Sequence, residues 1–334
     1  MNYLLEKLFN HQTLEPKEAE NLLNKIVSGE ANKSQVVAAI TCILMRTVTE
    51  EEARGFRAAL LDQCLVPDLF TTEAIDVCGT GGDGKNTFNI STLTAIVIAG
   101  AGYKVIKHGN YGASSICGSS NLLEQIGYRF SSGSDSLNRQ LDDANLVFLH
   151  APIFHPCLKS VAEVRKELGV RTFFNFLGPL VNPVQPDYQL SGVFNLQVGR
   201  IYRSILRNNR KSFRVVHSTD GYDEVSLTSP FKQFSETDDH LVFPEELGMK
   251  QLNQFELRGG STVKEAKKIF EDILEGQGTS AQNAVVLTNA ALGIQCFNQG
   301  QSFESAYEEA RCSLMEGKSR RSIELAINKS NQSS

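Results

Sequence analysis

The sequence predicts an α/β protein in two parts, a small all-helical domain followed by a larger α/β domain with a mostly parallel central sheet. Roughly the first 65 residues show only helical periodicity, whereas short apolar strands alternate with loops and helices from Ala74 onward. The chain also has 334 residues. That length exceeds what a single hydrophobic core usually serves, so two packed units are expected.

Three helices are predicted in the N-terminal part. Apolar residues recur at helical spacing over 19–27, with Pro16 in the first turn and Gly29 just past the end. The segments 32–35 and 49–52 begin with Asn and Thr and end with Gln and Glu, the capping-box spacing that marks a helix start. Because no strand pattern interrupts these segments, we expect a helical unit.

The predicted strands of the second part each lead into a polar cluster. Ser91 is predicted to cap a buried helix over 93–101, and shorter helices are expected at 119–126 and 157–168. Open α/β sheets bind ligands beyond the carboxyl ends of their strands, so we expect the polar clusters to converge there. The predicted strands are 74–77, 103–106, 146–149 and 212–216, and the polar tail 328–334 is expected to be disordered.

A glycine-rich loop, 79–84, follows the first predicted strand. Its letters match a dinucleotide-binding motif, but Lys104 and Lys107 stand where that motif needs an acidic residue. Residues 79–85 nearly match a P-loop as well, but Asn86 replaces the Ser or Thr that would hold magnesium. Backbone N–H groups in such a loop favour phosphate oxygens. We therefore predict a polyphosphate site, with a tight structural turn as the alternative.

An acidic pair, Asp223 and Glu224, follows the last predicted strand in a turn that contains glycine. Magnesium prefers oxygen ligands and usually keeps water and substrate phosphates. This pair with a hydroxyl such as that of Ser91 would therefore suffice to hold it. Taken alone, an adjacent acidic pair is more often a solvated turn.

Arg165 is suited to bind a substrate carboxylate through two parallel hydrogen bonds. The alternative is a surface salt bridge with Glu163 or Glu167. His108 and His155 lie near the predicted cluster, but isolated histidines of this kind are more often structural than catalytic. No cysteine has an adjacent base, so no nucleophile is assigned.

Composition narrows the class of protein. The formal net charge of −5, without a long basic run, argues against nucleic-acid binding. The seven cysteines are scattered without a C-x-x-C pair, which is typical of reduced thiols in a cytosol. No apolar run is long enough to span a membrane, and residues 1–10 lack a signal-peptide pattern. We expect a cytoplasmic protein that binds no membrane.

A series of motifs recurs in order along the chain. They are Asp-Val-Cys-Gly-Thr-Gly-Gly-Asp-Gly at 76–84, Thr-Phe-Asn-Ile-Ser-Thr at 87–92, Lys-His-Gly-Asn at 107–110, Ala-Pro at 151–152, His-Pro at 155–156, Val-Arg-Lys-Glu-Leu-Gly at 164–169, Arg-Thr at 171–172, Phe-Asn at 174–175, Leu-Gly-Pro-Leu at 177–180, Asn-Pro at 182–183, Asp-Gly at 220–221 and Asp-Glu at 223–224. This joint pattern resembles the anthranilate phosphoribosyltransferase family over roughly residues 15–230. The resemblance implies a fold of the nucleoside phosphorylase and phosphoribosyltransferase type.

The resemblance also implies a reaction and its partners. The phosphoribosyl group of phosphoribosyl pyrophosphate would pass to the amine of anthranilate, giving N-(5-phosphoribosyl)anthranilate and pyrophosphate in the second step of tryptophan biosynthesis from chorismate. Magnesium, expected as two ions, would assist a displacement with inversion at the anomeric carbon. No side chain is assigned as a catalytic acid or base, because positioning and electrostatics would supply the rate. A homodimer is implied.

The family's binding residues carry over onto matching positions. The resemblance assigns phosphoribosyl pyrophosphate to Gly79, Gly82, Asp83, Thr87, Asn89, Ile90, Ser91, Thr92, Lys107, His108, Gly109, Asn110, Ser115 and Ser119. It assigns anthranilate to Gly79, Asn110, His155, Arg165 and Gly178, and magnesium to Ser91, Asp223 and Glu224. The helical domain would comprise 1–68 joined by helices from about 157–183, and the α/β domain would comprise 69–156 and 184–334.

Several positions depart from the family pattern. The resemblance places them near the fine phosphate contacts and the rim of the acceptor channel. The departing residues are Tyr111, Gly112, Cys117, Asn121, His150 and Tyr222. Two other classes of protein share the broad architecture. A pyrimidine nucleoside phosphorylase would show a Lys/Ser-rich loop pattern that is not evident here, and a nucleic-acid-binding relative would need a basic groove.

Overall fold

The computed structural model describes residues 1–112 and 117–332. The helices are α1 (Asn2–Phe9), α2 (Pro16–Val27), α3 (Lys33–Leu44), α4 (Glu50–Asp62), α5 (Ile90–Gly100), α6 (Ser119–Gln125), α7 (Ser134–Ala144), α8 (Ala151–Phe154), α9 (Lys159–Leu168), α10 (Phe174–Leu177), α11 (Leu196–Leu206), α12 (Val263–Leu274), α13 (Ser280–Phe297), α14 (Phe303–Met315) and α15 (Lys318–Asn331). The strands are β1 (Ile75–Val77), β2 (Val105–Gly109), β3 (Leu146–His150), β4 (Tyr188–Gly192), β5 (Ser212–Ser218), β6 (Phe231–Phe234) and β7 (Asp239–Val242).

One seven-stranded sheet organises the larger part of the protein, in the order β3-β2-β1-β4-β5-β6-β7. The five strands from β3 to β5 pair in parallel, and β6 and β7 continue the sheet antiparallel. The predicted mostly parallel sheet is therefore confirmed. The carboxyl ends of β1, β2, β4 and β5 consequently meet at one edge.

The N-terminal residues form helices only, as predicted. Capping boxes at Asn32 and Thr49 begin α3 and α4, since each side chain accepts the backbone N–H three residues on. Helix α9 comes late in the chain yet packs on α2 and α3, with Val161 and Val164 in their apolar cluster. That cluster continues through α11 to β5. The predicted division after residue 68 stays a prediction.

Three local predictions were wrong. Ser91 does not cap the buried helix, because α5 begins at Ile90 and Asn89 occupies the N-cap without a side-chain cap bond. Strand β2 extends to Gly109, so the predicted loop residues Lys107 and His108 lie within the sheet. Of the polar tail 328–334, which was expected to be disordered, residues 328–331 continue α15.

The C-terminal end of α15 is fixed by hydrogen bonds to residues distant in sequence, which the polar composition of the tail does not predict. Ser330 accepts the backbone N–H of Arg129 through its hydroxyl, and the Asn331 amide donates to the carbonyl of Gly127. Within residues 1–112 and 117–332, no helix is both long and apolar enough to cross a membrane.

Candidate active site

A cavity of about 300 Å³ lies at the carboxyl edge of the parallel strands. Its walls come from the glycine-rich loop, the start of α5, the end of β2 and the turn after β5. Residues of α9 and of the segment around α10 close the other side. One predicted site residue, Ser115, lies outside the described residues. All the other predicted site residues line the cavity: Gly79, Gly82, Asp83, Thr87, Asn89, Ile90, Ser91, Thr92, Lys107, His108, Gly109, Asn110, Ser119, His155, Arg165, Gly178, Asp223 and Glu224.

Glycines bring the acidic turn against the glycine-rich loop. A Cβ at Gly79 would lie 2.7 Å from Asp223 Oδ2, and one at Gly192 would lie 1.3 Å from the Asp223 carbonyl oxygen. Gly81 and Gly82 have φ of +64° and +74°, a conformation that other residues rarely adopt. The Gly81 N–H donates to Asp223 Oδ2 at 2.6 Å. The loop therefore does more than turn the chain, because it seats the acidic pair.

The carboxyl groups of Asp223 and Glu224 are held close together, with Asp223 buried and Glu224 half-buried. Asp223 is only 7% exposed, which rules out a solvated acidic turn. Glu224 Oε1 accepts the backbone N–H of Ser91 at 3.1 Å. Burial, followed by the charge of Asp83, raises the pKa of Asp223 to about 7. Burial and the charge of Asp223 raise the pKa of Glu224 well above its usual range. Such a pair of like charges is one that a divalent cation stabilises.

The oxygen-rich donor set fits magnesium, which is usually held by one or two carboxylates with substrate phosphates. The Ser91 hydroxyl lies beside the pair and accepts a hydrogen bond from Lys107 Nζ at 3.3 Å. Across the part of the chain that the structure describes, no three His, Cys, Asp or Glu side chains are grouped as a metal site.

Lys107 places a buried cation at the floor of the cavity. Its side chain leaves β2 only 2% exposed, and Nζ also donates to the carbonyl oxygen of Val77 at the end of β1. The cation is thus fixed between two strand ends, next to Ser91 at the start of α5. Together with the N–H groups of the glycine-rich loop, it forms a site suited to an anion.

Two neutral histidines border the opposite side of the cavity. His108 Nδ1 lies 3.1 Å from the Gly178 carbonyl, and His155 Nε2 lies 2.8 Å from the Val181 carbonyl. Their ring centroids are 5.2 Å apart. Burial lowers the pKa of His108 to about 3 and lowers the pKa of His155 below its usual value. Both rings are therefore uncharged at neutral pH, and the carbonyls that accept their N–H groups fix the tautomers.

Arg165 reaches the cavity from α9 rather than pairing at the surface. Glu163 and Glu167 instead lie 3.8 Å and 2.7 Å from Lys33 Nζ. The guanidinium of Arg165 lies over the Phe174 ring, 5.1 Å from its centroid, and burial lowers its pKa. A half-desolvated guanidinium beside an aromatic ring is suited to a planar carboxylate ligand.

The departures from the family pattern form their own contacts at the rim. The Tyr111 hydroxyl donates to Glu124 at 2.8 Å, and its ring meets His150 edge-on at 4.7 Å. Asn121 accepts the backbone N–H groups of Gly112 and Gly118, which orders the start of α6.

Sequence reasoning missed several lining residues. Phe174 and Pro179 lie within recognised motifs, which could have suggested them. Leu60 and Leu158 line the cavity from the helical part, and no local signal marks an apolar residue as a site residue.

Comparisons with known proteins agree with this geometry. Residues 71–320 match the α/β domain of a glycosyl transferase family, and residues 2–64 match that family's helical bundle domain. The anthranilate phosphoribosyltransferase of Flavobacterium johnsoniae is 48% identical over 97% of this chain and 98% of its own. That of Bacteroides fragilis is 48% identical over 98% and 99%.

Solved structures show the same architecture. Anthranilate phosphoribosyltransferase from Thermus thermophilus superposes with a TM-score of 0.91 at 29% identity, covering 98% of this chain and 99% of that one. The Saccharomyces cerevisiae enzyme in complex with phosphoribosyl pyrophosphate and Mg superposes with a TM-score of 0.90 at 25% identity, covering 99% and 97%. The chain therefore belongs to the anthranilate phosphoribosyltransferase family.

Proposed function

We propose that this protein transfers the phosphoribosyl group of phosphoribosyl pyrophosphate to the amine of anthranilate. The products are N-(5-phosphoribosyl)anthranilate and pyrophosphate, and the reaction is the second step of tryptophan biosynthesis from chorismate. One observation carries the proposal: an anion-binding loop, an acidic pair and a half-buried arginine, far apart in sequence, line one cavity. The relatives bearing this activity match nearly the whole chain.

The donor binds on the side of the glycine-rich loop. Its diphosphate accepts hydrogen bonds from the loop N–H groups around Gly82 and Asp83 and lies near the buried ammonium of Lys107. As pyrophosphate leaves, negative charge grows on its oxygens. Donors that are already fixed by the fold stabilise that charge without reorganising.

Ser91, Asp223 and Glu224, together with oxygens of the donor, would hold magnesium as two ions. The raised pKa values of the two carboxyl groups support this assignment, because a cation replaces their mutual repulsion with attraction. When bound, the metal neutralises the charge of the leaving diphosphate.

Anthranilate binds between Arg165, His155, Asn110 and Gly178. Arg165 binds the carboxylate, which directs the amine toward the anomeric carbon of the donor. An aromatic amine is uncharged at neutral pH and loses its proton only after attack, so no strong base is required. The neutral state of both histidines agrees with a positioning role.

The protein acts in the cytoplasm as a homodimer, in which each chain has the two predicted domains. Exposed apolar side chains on the helical part support a second copy there: Met45 is 82% exposed, Tyr3 63% and Phe9 56%. Light scattering at micromolar concentration tests this, and a monomer mass would contradict it.

One assay tests the reaction. Anthranilate fluorescence should decay when phosphoribosyl pyrophosphate and Mg²⁺ are both present, with one pyrophosphate released for each anthranilate consumed. Mixtures lacking the donor serve as the control. Unchanged fluorescence with folded protein would refute the proposal.

A further inference from the structure

A buried carboxylate beneath the cavity is not explained by substrate binding. Asp76, in β1, is 0% exposed and does not line the cavity. A buried charge is costly unless it is hydrogen-bonded or paired, so its retention needs a structural reason. Burial raises its pKa to about 6, while the charge of Lys107 acts in the opposite direction.

Asp76 joins two neighbouring segments that line the cavity, the end of β2 and residues 178–182. Its Oδ1 accepts the backbone N–H of His108 in β2 at 3.1 Å, and its Oδ2 accepts Asn182 Nδ2 at 3.0 Å. Asn182 is also fully buried and donates to the Ile106 carbonyl at 2.9 Å, while its Oδ1 accepts the Val184 N–H at 3.1 Å. Each atom of the Asn182 amide thus has a fixed partner.

The segment held by Asn182, residues 178–182, carries the two carbonyls that fix the histidine rings. Gly178 accepts from His108, and Val181 accepts from His155. A second buried bond, from Gln189 Nε2 to the Pro179 carbonyl at 2.7 Å, supports the same segment. Moving this segment would therefore displace the Gly178 wall and take from both rings the carbonyls that fix them.

We propose that Asp76 is a positioning residue that, through Asn182, fixes the 178–182 segment against β2 and thereby shapes the acceptor half of the cavity. The inference rests on the proposed function, because it assigns that half to anthranilate. The donor half has its own anchors, the Asp223 contact with the glycine-rich loop and Lys107 on the end of β1. Asp76 also interacts with the charge of Lys107, so Asn182→Ala, which keeps the Asp76 carboxylate, is the more selective variant for the acceptor half.

Asp76→Asn tests this by steady-state kinetics for both substrates. The asparagine side chain has only one acceptor oxygen, so it can keep only one of the two hydrogen bonds of Asp76. Its NH₂ group then faces the other donor, either the His108 N–H or the Asn182 NH₂ group. We expect the anthranilate KM to rise roughly five-fold or more and the KM for phosphoribosyl pyrophosphate to stay within about two-fold, since one positioning hydrogen bond is lost on the acceptor side. Asn182→Ala, which leaves the His108 bond intact, should give the same split and serves if Asp76→Asn fails to fold.

Glu52→Gln is the matched control. Glu52 is also a 0% exposed carboxylate that accepts two backbone N–H groups, from Leu14 and Thr49, but it lies in the helical part away from the cavity. It should lower the Tm without changing either KM. A purely structural role for Asp76 predicts this same pattern, so unchanged KM values in folded Asp76→Asn and Asn182→Ala would overturn the inference. Absence of turnover in the wild type would instead refute the proposed reaction.

Discussion

Replacing Asp223 by asparagine should stabilise the metal-free protein while it removes activity. The carboxylate is 7% exposed and lies near the charge of Asp83. Asparagine has nearly the same shape, and its oxygen can still accept the Gly81 N–H. Its amide can donate to Asp83, so a repulsive contact becomes an attractive one.

The size of the effect follows from the pKa of Asp223, raised from 3.8 to about 7. Because the folded pKa lies above the unfolded one, ionisation disfavours folding. The penalty is absent below about pH 4, grows through the interval and is complete above about pH 7. At ~1.4 kcal/mol per pH unit the upper bound is ~4 kcal/mol at pH 8 and roughly 1–2 kcal/mol at pH 5. Because Asp223 lines a cavity that water can enter, about half of this is the expected gain.

Thermal unfolding in EDTA measures the gain. At about 2 °C per kcal/mol for a chain of this size, Asp223→Asn should raise the Tm by roughly 4 °C at pH 8 and by less at pH 5. The control is Asp220→Asn, on the same turn, where the carboxylate accepts from Thr228 and Ser229. That variant should not gain stability at either pH. A Tm for Asp223→Asn at or below wild type at pH 8, or an equal gain at both pH values, would contradict the argument.

Three further outcomes are expected. Arg165→Ala should raise the anthranilate KM at least about ten-fold and the donor KM much less, because a charged hydrogen bond to the anthranilate carboxylate is lost. Steady-state kinetics measure both KM values, and equal increases would count against this role of Arg165. The double variant Asp223→Asn/Glu224→Gln should fold but lose turnover, and the wild type should lose turnover in EDTA. Excess Mg²⁺ should restore the wild type and not the double variant; activity of the double variant would exclude the metal assignment. Iodoacetamide at pH 8 should leave the rate unchanged, because burial raises the pKa of Cys78 to about 12; inactivation that the donor prevents would show a reactive thiol in the cavity.

The sequence predicted the elements whose signals are local. Capping boxes marked α3 and α4 correctly, because a cap is a contact between residues three apart. The start of α5 was misjudged for the opposite reason. Ser91 looks like a cap, but its N–H is bound by Glu224, a residue 133 positions away.

The site was predictable as a set of residues but not as an arrangement. Motif spacing identified Arg165 beside two glutamates, and only the fold shows that Lys33 takes those glutamates and leaves the guanidinium to the cavity. Asp76 was visible as part of a motif, yet its bonds to His108 and Asn182 depend on three segments meeting. Packing over such distances in sequence leaves no periodic signature.

The electrostatics of the cavity are arranged for ligands of opposite charge that bind together. The carboxyl groups of buried Asp223 and half-buried Glu224 disfavour ionisation of the pair in the free protein, while the ammonium of Lys107 is fixed close by against Val77 and Ser91. An anion alone would meet the acidic pair, and a cation alone would meet the ammonium and the N–H groups of the loop. A diphosphate with its divalent ion satisfies both sets at once. The cost of holding like charges apart from water is therefore recovered only when the donor and the metal occupy the cavity jointly.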